Sequence, residues 1–284
     1  MIFDHLARQM AEKGTLTRDE LTAFAVGNDV HRLIDQNRGI WNPRHLSATL
    51  SIVSKPGSPY SDAEIGDSMF AYSHREGSTA GDNTKLRRAF ELRSPIILLR
   101  WLQPGVYVPV FPVYVISDDL ERRRFILALD EKLLDVEDPF HLDPIERSYA
   151  QRLKKQRLHQ PEFRGRVLLA YDNKCGVCSL GHRQLLDAAH ITADSEEQGT
   201  PEVVNGLCLC KIHHAAYDAN LLGISPDYRI VVGEKLLQNP DDNPMVRYGF
   251  RDMAGRKLAL PSRRSDRPSR ERLETWFAAF LEAS

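Results

Sequence analysis

Two short cysteine and histidine pairs constrain this chain more than any other feature of its sequence. Cys175 and Cys178 form a Cys-x-x-Cys, and Cys210 and His213 repeat that spacing further along the chain. Side chains at this spacing can reach one tetrahedral ion, so two such pairs brought together close a structural zinc site. A single Cys-x-x-Cys is often only two buried thiols, but four donors in two pairs favour zinc. The remaining cysteine, Cys208, alternates with leucines and is predicted to be a buried thiol.

A second group of polar residues lies among the zinc ligands. His190 belongs to an apolar, strand-like run that would hold its imidazole rigidly, and a neutral imidazole can take a proton from water. His214 and Asp218 have the i, i+4 spacing, so on a helix both side chains leave one face. Their nitrogen and oxygen donors suit a divalent cation that also binds a phosphate oxygen. Asn205, in a turn signal with the following glycine, can hydrogen-bond across the loop and hold His190 in register.

The order of His190, Asn205 and His214, with flanking zinc ligands, resembles that of HNH nucleases of the ββα-metal type. The matching segments, within residues 160–221, are Gln160-Pro-Glu-Phe-Arg-Gly-Arg, Ala189-His-Ile, Asn205-Gly-Leu and His213-His-Ala-Ala-Tyr-Asp. The resemblance implies that His190 is the general base and that Asn205 organises the loop. It also implies that His214 and Asp218 bind a catalytic Mg²⁺, Mn²⁺ or similar divalent ion.

One position departs from the pattern of this family. Many relatives carry Asp or His just before the base as a further metal ligand, and this chain has Ala189. The catalytic ion would then have two protein ligands, and Asp187 is a poorly placed substitute. Simpler roles compete with the catalytic ones: His190 as a core histidine, and Asp218 as a carboxylate on a helix surface. The spacing shared with the family favours catalysis.

Residues 39–143 are rich in proline, glycine and β-forming side chains. The predicted strands are Leu46–Val53, Ile96–Leu99, Val108–Ile116 and Phe125–Leu129, with a helix over Thr84–Leu92. A long irregular stretch before that helix carries Tyr60, Asp62, Glu64 and Tyr72, and long loops inside compact domains are usually functional. Two aromatic rings can sandwich a flat base, and a carboxylate can accept the exocyclic amine of cytosine. Tyrosines in loops, however, more often serve packing.

Several segments of this β-rich region resemble SRA domains, which flip a modified cytosine out of duplex DNA. They are Asn42-Pro-Arg-His-Leu-Ser-Ala-Thr-Leu-Ser, Ser58-Pro-Tyr, Gly81-Asp-Asn, Pro104-Gly-Val-Tyr and Phe111-Pro-Val-Tyr-Val, within residues 39–130. The resemblance implies a pocket walled by Tyr60 and Tyr72, whose spacing matches the family. The family's acidic position falls on Ala63 here, so Asp62 or Glu64 must serve. Glycine is also missing after the second aromatic, which bears on the identity of the preferred base.

The remaining segments are predicted to be mainly helical. Helical spacing from Ile2 to Met10, a capping box at Thr17-Arg-Asp-Glu20 opening a helix through Val26, and a turn over Val30–Ile34 indicate a helical segment over residues 1–38. Residues 144–174 read as a basic helical linker leading into the nuclease module. The candidates for phosphate contact there are Lys154, Lys155, Arg157, Arg164 and Arg166. A solvated helix face is the alternative.

The last part of the chain contains a predicted strand over residues 228–232, a hairpin around Ala254-Gly255 and an amphipathic helix over Leu273–Leu281. Core packing or a dimer contact is the expected use of this terminal helix. An arginine-rich stretch precedes it.

Composition limits the class of protein and its partners. The chain has 284 residues and a net charge of −1, so two domains fit and any DNA surface must be a local, salt-sensitive patch. No run approaches the length of a membrane span, and the first residues lack a signal-peptide pattern. With three of the four cysteines assigned to zinc, a disulfide framework is not expected, which fits a reducing cytoplasm.

Together these observations predict an α+β protein with an SRA-like (PUA-like) curved sheet or barrel and a zinc-stabilised ββα-metal HNH domain. The expected segments are residues 1–38, 39–143, 144–174 and 175–284. The two resemblances imply a modification-dependent, type IV-like restriction endonuclease that acts on double-stranded DNA containing 5-methylcytosine or 5-hydroxymethylcytosine, as a homodimer on DNA. The alternatives are a nuclease for damaged or otherwise modified DNA, and a catalytically inactive reader of modified DNA, which Ala189 favours.

Overall fold

The computed structural model describes residues 1–55, 64–65, 69–74, 81–196, 199–238 and 243–283, of which 64–65 by their backbone alone. The chain divides into two compact units, Met1–Glu162 and Phe163–Ser284. Both contain helices and strands, which confirms the predicted α+β class. Within the described ranges, no helix has the length and apolar character needed to cross a membrane.

The first unit is built around one large sheet. The strands of the unit are β1 (Leu16–Thr17), β2 (Phe24–Val26), β3 (Asp29–His31), β4 (Ile40–Trp41), β5 (Ser51–Ser54), β6 (Glu64–Ile65), β7 (Met69–Ser73), β8 (Ile96–Gln103), β9 (Val106–Asp119) and β10 (Arg124–Ala128), of which β2 and β3 form a separate hairpin. Its helices are α1 (Ile2–Lys13), α2 (Arg18–Thr22), α3 (Asp82–Glu91) and α4 (Pro144–Lys154). The order in the sheet is β4-β5-β8-β9-β10-β7-β6, with β1 also paired to β9. β5 and β8 are parallel, and the other pairs are antiparallel.

The long strand β9 makes this sheet curl. Its first part, up to Val113, pairs with β8, and its second part, from Tyr114, pairs with β10. The pairing with β10 shifts register between Ile126 and Leu127, as at a β-bulge, which increases local twist. β9 therefore belongs to both halves of a curved, partly closed sheet and connects them. Predicted strands at Ile96, Val108 and Phe125 are confirmed, whereas the first predicted strand begins at Ser51 and not at Leu46.

The first 38 residues are only partly helical. α1 forms as predicted, and the capping box of Thr17 and Glu20 opens α2. The predicted continuation of that helix through Val26, and the helical turn at Val30–Ile34, are wrong. β2 and β3 form a hairpin there, because Gly27 adopts a φ of 63° in a two-residue Gly-Asn turn. Side chains of this segment, such as Leu6 and Leu16, share a core with the sheet residues Ile97, Leu99 and Tyr107.

α4 begins where the sequence predicts a helix. Asp143 and Glu146 form a capping box, with Pro144 in the first turn. A π-helical turn over Lys155–His159 follows, and α5 (Gln160–Ala170) then runs from the first unit into the second.

The second unit contains the zinc pairs. After α5 come β11 (Leu186–His190), β12 (Gly206–Cys210), α6 (Lys211–Asp218), β13 (Leu222–Ile224), β14 (Ile230–Val232), α7 (Glu234–Leu237), α8 (Pro244–Gly249) and α9 (Arg270–Ala283). β11 and β12 are antiparallel, with His190 opposite Gly206, and α6 follows at once. This ββα arrangement packs on Phe163, Val167, Leu168 and Tyr171 of α5 and the turn after it.

The end of the chain completes the core of the second unit. The predicted hairpin at Ala254-Gly255 is wrong: residues 251–253 form a 3₁₀ turn, and Lys257 bridges Arg229 beside β14. The terminal helix is confirmed as α9, and its use in core packing is visible in the buried side chains of Leu273 and Phe280. Gly223 is needed opposite this helix, since a Cβ atom there would lie 2.6 Å from Phe280.

Candidate metal centre and nuclease site

The structure brings the four predicted zinc ligands together. One ligand atom each from Cys175, Cys178, Cys210 and His213 lies within 4.8 Å of all the others. The Nδ1 atom of His213 is 3.2 Å from the Cys210 sulfur and 3.5 Å from the Cys175 sulfur. Its Nε2 atom is 2.8 Å from the carbonyl oxygen of Gly249, to which it donates when Nδ1 carries no proton. Three sulfurs and an imidazole, with the second ring nitrogen held by a carbonyl, fit a structural zinc ion.

The protonation of this cluster also favours a cation. Hydrogen bonds with Cys175 and Cys178 lower the pKa of the Cys210 thiol. The hydrogen bonds of Cys178 to Cys175 and Cys210, together with burial, raise the pKa of Cys178. A divalent ion bound between these closely packed sulfurs would replace their thiol protons. All four cysteines of the chain are free, and Cys208 is buried as predicted.

His190 is held by packing at the end of β11. Its ring stacks on Phe163, with the ring centroids 4.0 Å apart and the planes at 19°. Gly206, opposite His190 in the strand pair, permits this approach of α5. A Cβ atom there would lie 2.4 Å from Val167 and 3.0 Å from Phe163. The imidazole is therefore fixed in orientation and remains partly exposed.

Asn205 is fully buried and holds the loop that follows His190. Its side-chain oxygen accepts a hydrogen bond from the backbone N–H of Thr192 at 2.8 Å. Its side-chain nitrogen donates to the carbonyl oxygens of Thr192 and Thr200, each at 3.0 Å. The side chain of Asn205 therefore joins the two ends of this loop, directly after His190.

Asn205→Ala is expected to destabilise the second unit. It removes three hydrogen bonds and leaves part-buried backbone groups of Thr192 and Thr200 without this partner, at a cost of roughly 1–3 kcal/mol. Urea denaturation of the full chain measures the loss. Asn205→Asp should be intermediate, because it keeps the acceptor but not the donors. Gln184→Ala removes an exposed amide and serves as the control; equal stability of all variants would contradict this role of Asn205.

His214 and Asp218 leave one face of α6, as their spacing predicts. The Nε2 atom of His214 is 3.4 Å from a carboxylate oxygen of Asp218, and the Nδ1 atom is 3.6 Å from one of Asp187. The Asp187 carboxylate beside Nδ1 raises the pKa of His214, against the lowering effect of burial. The Nε2 atom and the Asp218 carboxylate form a mixed donor pair that fits a divalent ion. The adjacent Ala189 is fully buried and offers no donor.

Asp187 and Phe163 gain roles that the sequence did not assign to them. The carboxylate of Asp187 contacts His214, although the sequence placed it as a poor substitute ligand. The two-residue period of a strand could have indicated this contact. It places Asp187 on the same face of β11 as Ala189, the position at which many relatives carry a metal ligand. The stacking of Phe163 on His190 depends on how α5 approaches the strands, which no local sequence pattern indicates.

None of the five side chains predicted to contact phosphate is fully exposed to solvent. Lys154 is 6% exposed, which disfavours contact with a phosphate. Arg157 is partly buried and donates to the carbonyl oxygens of Phe111 and Pro112. Arg164 donates to backbone carbonyls of the second unit. Lys155 and Arg166 are partly exposed.

The predicted base pocket is described only in part. Tyr60 and Asp62 lie outside the described residues, and Glu64 is described by its backbone alone, in β6. Tyr72 lies in β7, is 7% exposed, and donates from its hydroxyl to the carbonyl oxygen of Gly39 at 3.2 Å. This second tyrosine is thus held in place by the first unit.

Comparison with known proteins gives one family match, to part of the second unit. Residues 175–225 match the family model described as HNH endonuclease. No curated protein gives a significant match. Similar solved structures include the modification-dependent TagI restriction endonuclease, at 16% identity, 86% of each chain covered and a TM-score of 0.33.

Two further structures are the SRA domain of SUVH5 with hemi-methylated CG DNA and the type IV phosphorothioation-dependent restriction endonuclease ScoMcrA. The first has 20% identity, covers 39% of this chain and 81% of its own, and has a TM-score of 0.29. The second has 14% identity, covers 94% of this chain and 59% of its own, and has a TM-score of 0.27. These TM-scores are low, so the likenesses establish neither fold nor function.

The family match begins at Cys175, the first predicted zinc ligand, and ends at Ser225, directly after β13, so it contains His190, Asn205 and His214. Over the same residues the structure forms two antiparallel strands followed by a helix, stabilised by a cluster that fits zinc. The match and this geometry identify the segment as an HNH endonuclease domain, and with it the chain as a metal-dependent DNA endonuclease.

Proposed function

We propose that this chain is a modification-dependent endonuclease that flips 5-methylcytosine, or 5-hydroxymethylcytosine, out of duplex DNA and hydrolyses the backbone at the HNH site. The observation that carries the nuclease part is the placement of His190 at a strand end, beside the loop held by Asn205 and the helix that presents His214 and Asp218. The recognition part is supported by the sequence resemblance to SRA domains and by a curled sheet.

In the reaction, His190 accepts a proton from the water that attacks phosphorus in line with the leaving 3′ oxygen. Its stack on Phe163 holds the accepting nitrogen in a fixed direction. His214 and Asp218 would hold Mg²⁺, Mn²⁺ or a similar ion, which supplies stabilisation of the charge on phosphorus and the leaving oxygen. Asn205 keeps the loop after His190 in register.

In the first unit, Tyr72 would form one wall of the base pocket. Gly39 lies so close that a Cβ atom there would be 3.0 Å from the Tyr72 hydroxyl, so the ring has a fixed place. Tyr60 would form the opposite wall, and Asp62 or Glu64 would accept the amine of cytosine. A methyl group on the base adds an apolar contact of about 1 kcal/mol, comparable to one buried methylene. Cutting both strands needs two active sites, so a second copy of the chain on DNA belongs to the proposal.

Digestion of one plasmid in two forms, cytosine-methylated and unmethylated, tests the proposal. With Mg²⁺ or Mn²⁺ we expect cutting of the methylated form, and at least about tenfold slower cutting of the other, because apolar contact and exclusion of wrong bases act together. Electrophoresis of the products measures both rates. Equal cutting of the two forms would contradict the reading of methylation and leave the nuclease intact.

A second candidate function follows from Ala189. Its side chain is fully buried and brings no ligand to the ion, so the site is one protein donor poorer than that of many relatives. A reader of modified DNA with a very weak nuclease is the corresponding function. It would bind the methylated plasmid and cut neither form.

A further inference from the structure

The imidazole of His214 lies between two carboxylates. Its Nδ1 atom faces Asp187 at 3.6 Å, and its Nε2 atom faces Asp218 at 3.4 Å. The two ring nitrogens point away from each other, so a single ion cannot take both nitrogen–carboxylate pairs as ligands. One carboxylate must therefore serve the ion and the other must serve the histidine.

Asp187 is anchored by the protein itself. Its Oδ1 atom accepts a hydrogen bond from the backbone N–H of Ala188 at 2.9 Å and lies 3.5 Å from the Nε atom of Arg164. Arg164 in turn donates to the carbonyl oxygens of Arg183 and Leu186, at 3.0 and 2.8 Å. The Oδ2 atom is left facing His214.

The exposure of the two carboxylates also indicates that Asp187 serves the histidine and Asp218 serves the ion. The side chain of Asp218 is 64% exposed, whereas that of Asp187 is 40% exposed and that of His214 is 23% exposed. A phosphate of DNA can reach the open side of the ring, where Asp218 lies. The ion of the proposed nuclease therefore belongs on the Nε2 side.

We propose that Asp187 is a positioning residue for the metal-binding histidine. It accepts the proton on Nδ1 of His214 and so fixes the tautomer in which the Nε2 lone pair points toward Asp218. Histidines that bind metals almost always donate their other N–H to such a partner, which also raises their strength as ligands. In this chain the effect compensates for Ala189, because an ion with two protein ligands depends strongly on each of them. The inference rests on the proposed function for the binding of an ion at His214, whereas the tautomer of His214 can be measured without that ion.

Nitrogen NMR of ¹⁵N-histidine in the full-length, zinc-loaded chain tests the tautomer without DNA or added Mg²⁺. At a pH where His214 is neutral, we expect the Nδ1–H form in the wild type and in Asp187→Asn, whose amide oxygen can still accept. Asp187→Ala should lose that form. His214→Ala assigns the signal, and Asp227→Ala removes an exposed carboxylate of the same unit as the matched control.

Binding of Mn²⁺ to the same proteins, followed by the EPR signal of the free ion, provides the second measurement. Asp187→Ala should weaken binding roughly 10–100-fold, Asp187→Asn less, and Asp227→Ala not at all. An unchanged tautomer in Asp187→Ala would overturn the proposal. So would loss of Mn²⁺ in Asp187→Asn as complete as in His214→Ala, since Asp187 would then be a direct ligand. If the wild type cuts no DNA, the proposed function fails, while the tautomer still decides the role of Asp187.

Discussion

His190→Ala is expected to reduce DNA cleavage by a factor of roughly 100 to 10,000, the usual contribution of a general base. The chain should remain folded and keep its zinc, because His190 is only partly buried and takes no part in the zinc cluster. His190→Gln should be equally inactive, since it retains a planar side chain against Phe163 but no base. Single-turnover cleavage of a methylated plasmid, at saturating enzyme, measures the chemical step.

The matched control for this prediction is His182→Ala, which removes an exposed histidine from the same unit. It should cut at the wild-type rate. Cleavage by His190→Gln within a few-fold of the wild type would contradict the role of His190 as the base. Equal DNA binding by all variants in a gel-shift assay would show that the loss lies in the chemical step and not in recognition.

Loss of the zinc ion is expected to unfold the second unit. Structural zinc contributes roughly 10–16 kcal/mol of apparent binding free energy in small zinc domains, which exceeds the stability of most domains. Cys175→Ala removes a fully buried ligand, so the purified protein should contain almost no zinc and should lose one cooperative transition in calorimetry. A strong chelator added to the wild type should produce the same change.

Cys208→Ala provides the matched control for zinc. Cys208 is as deeply buried as Cys175, and burial raises the pKa of its thiol to about 12, so it is a neutral apolar group and not a ligand. This variant should bind about one zinc ion per chain and keep both transitions, with a moderate loss of packing energy. Zinc content by mass spectrometry would contradict the assignment if Cys175→Ala retained the ion or Cys208→Ala lost it.

The errors in the secondary-structure predictions have a common origin. Phe24 and Val26 have apolar spacing that fits a helix or a strand over so few residues, and the Gly-Asn turn after them decides for the hairpin. At Ala254-Gly255 the turn signal is real, since Gly255 has a φ of 75°, but the extended residues after it bridge Arg229 and not their own neighbours. A local signal identifies a turn, whereas its partner strand is chosen by packing.

The sequence by itself determined the four donors of the cluster that fits zinc, the shared helix face of His214 and Asp218, the order of His190, Asn205 and His214, and the α+β class. These features depend on spacings of two to four residues, which covalent geometry converts directly into a shared face or a shared ion. Only the tertiary structure decided that Phe163 stacks on His190, that Asp187 contacts His214, and that Lys154 is buried. Each of these depends on how closely two elements that are distant in sequence approach each other, and that distance is set by the packing of the whole core.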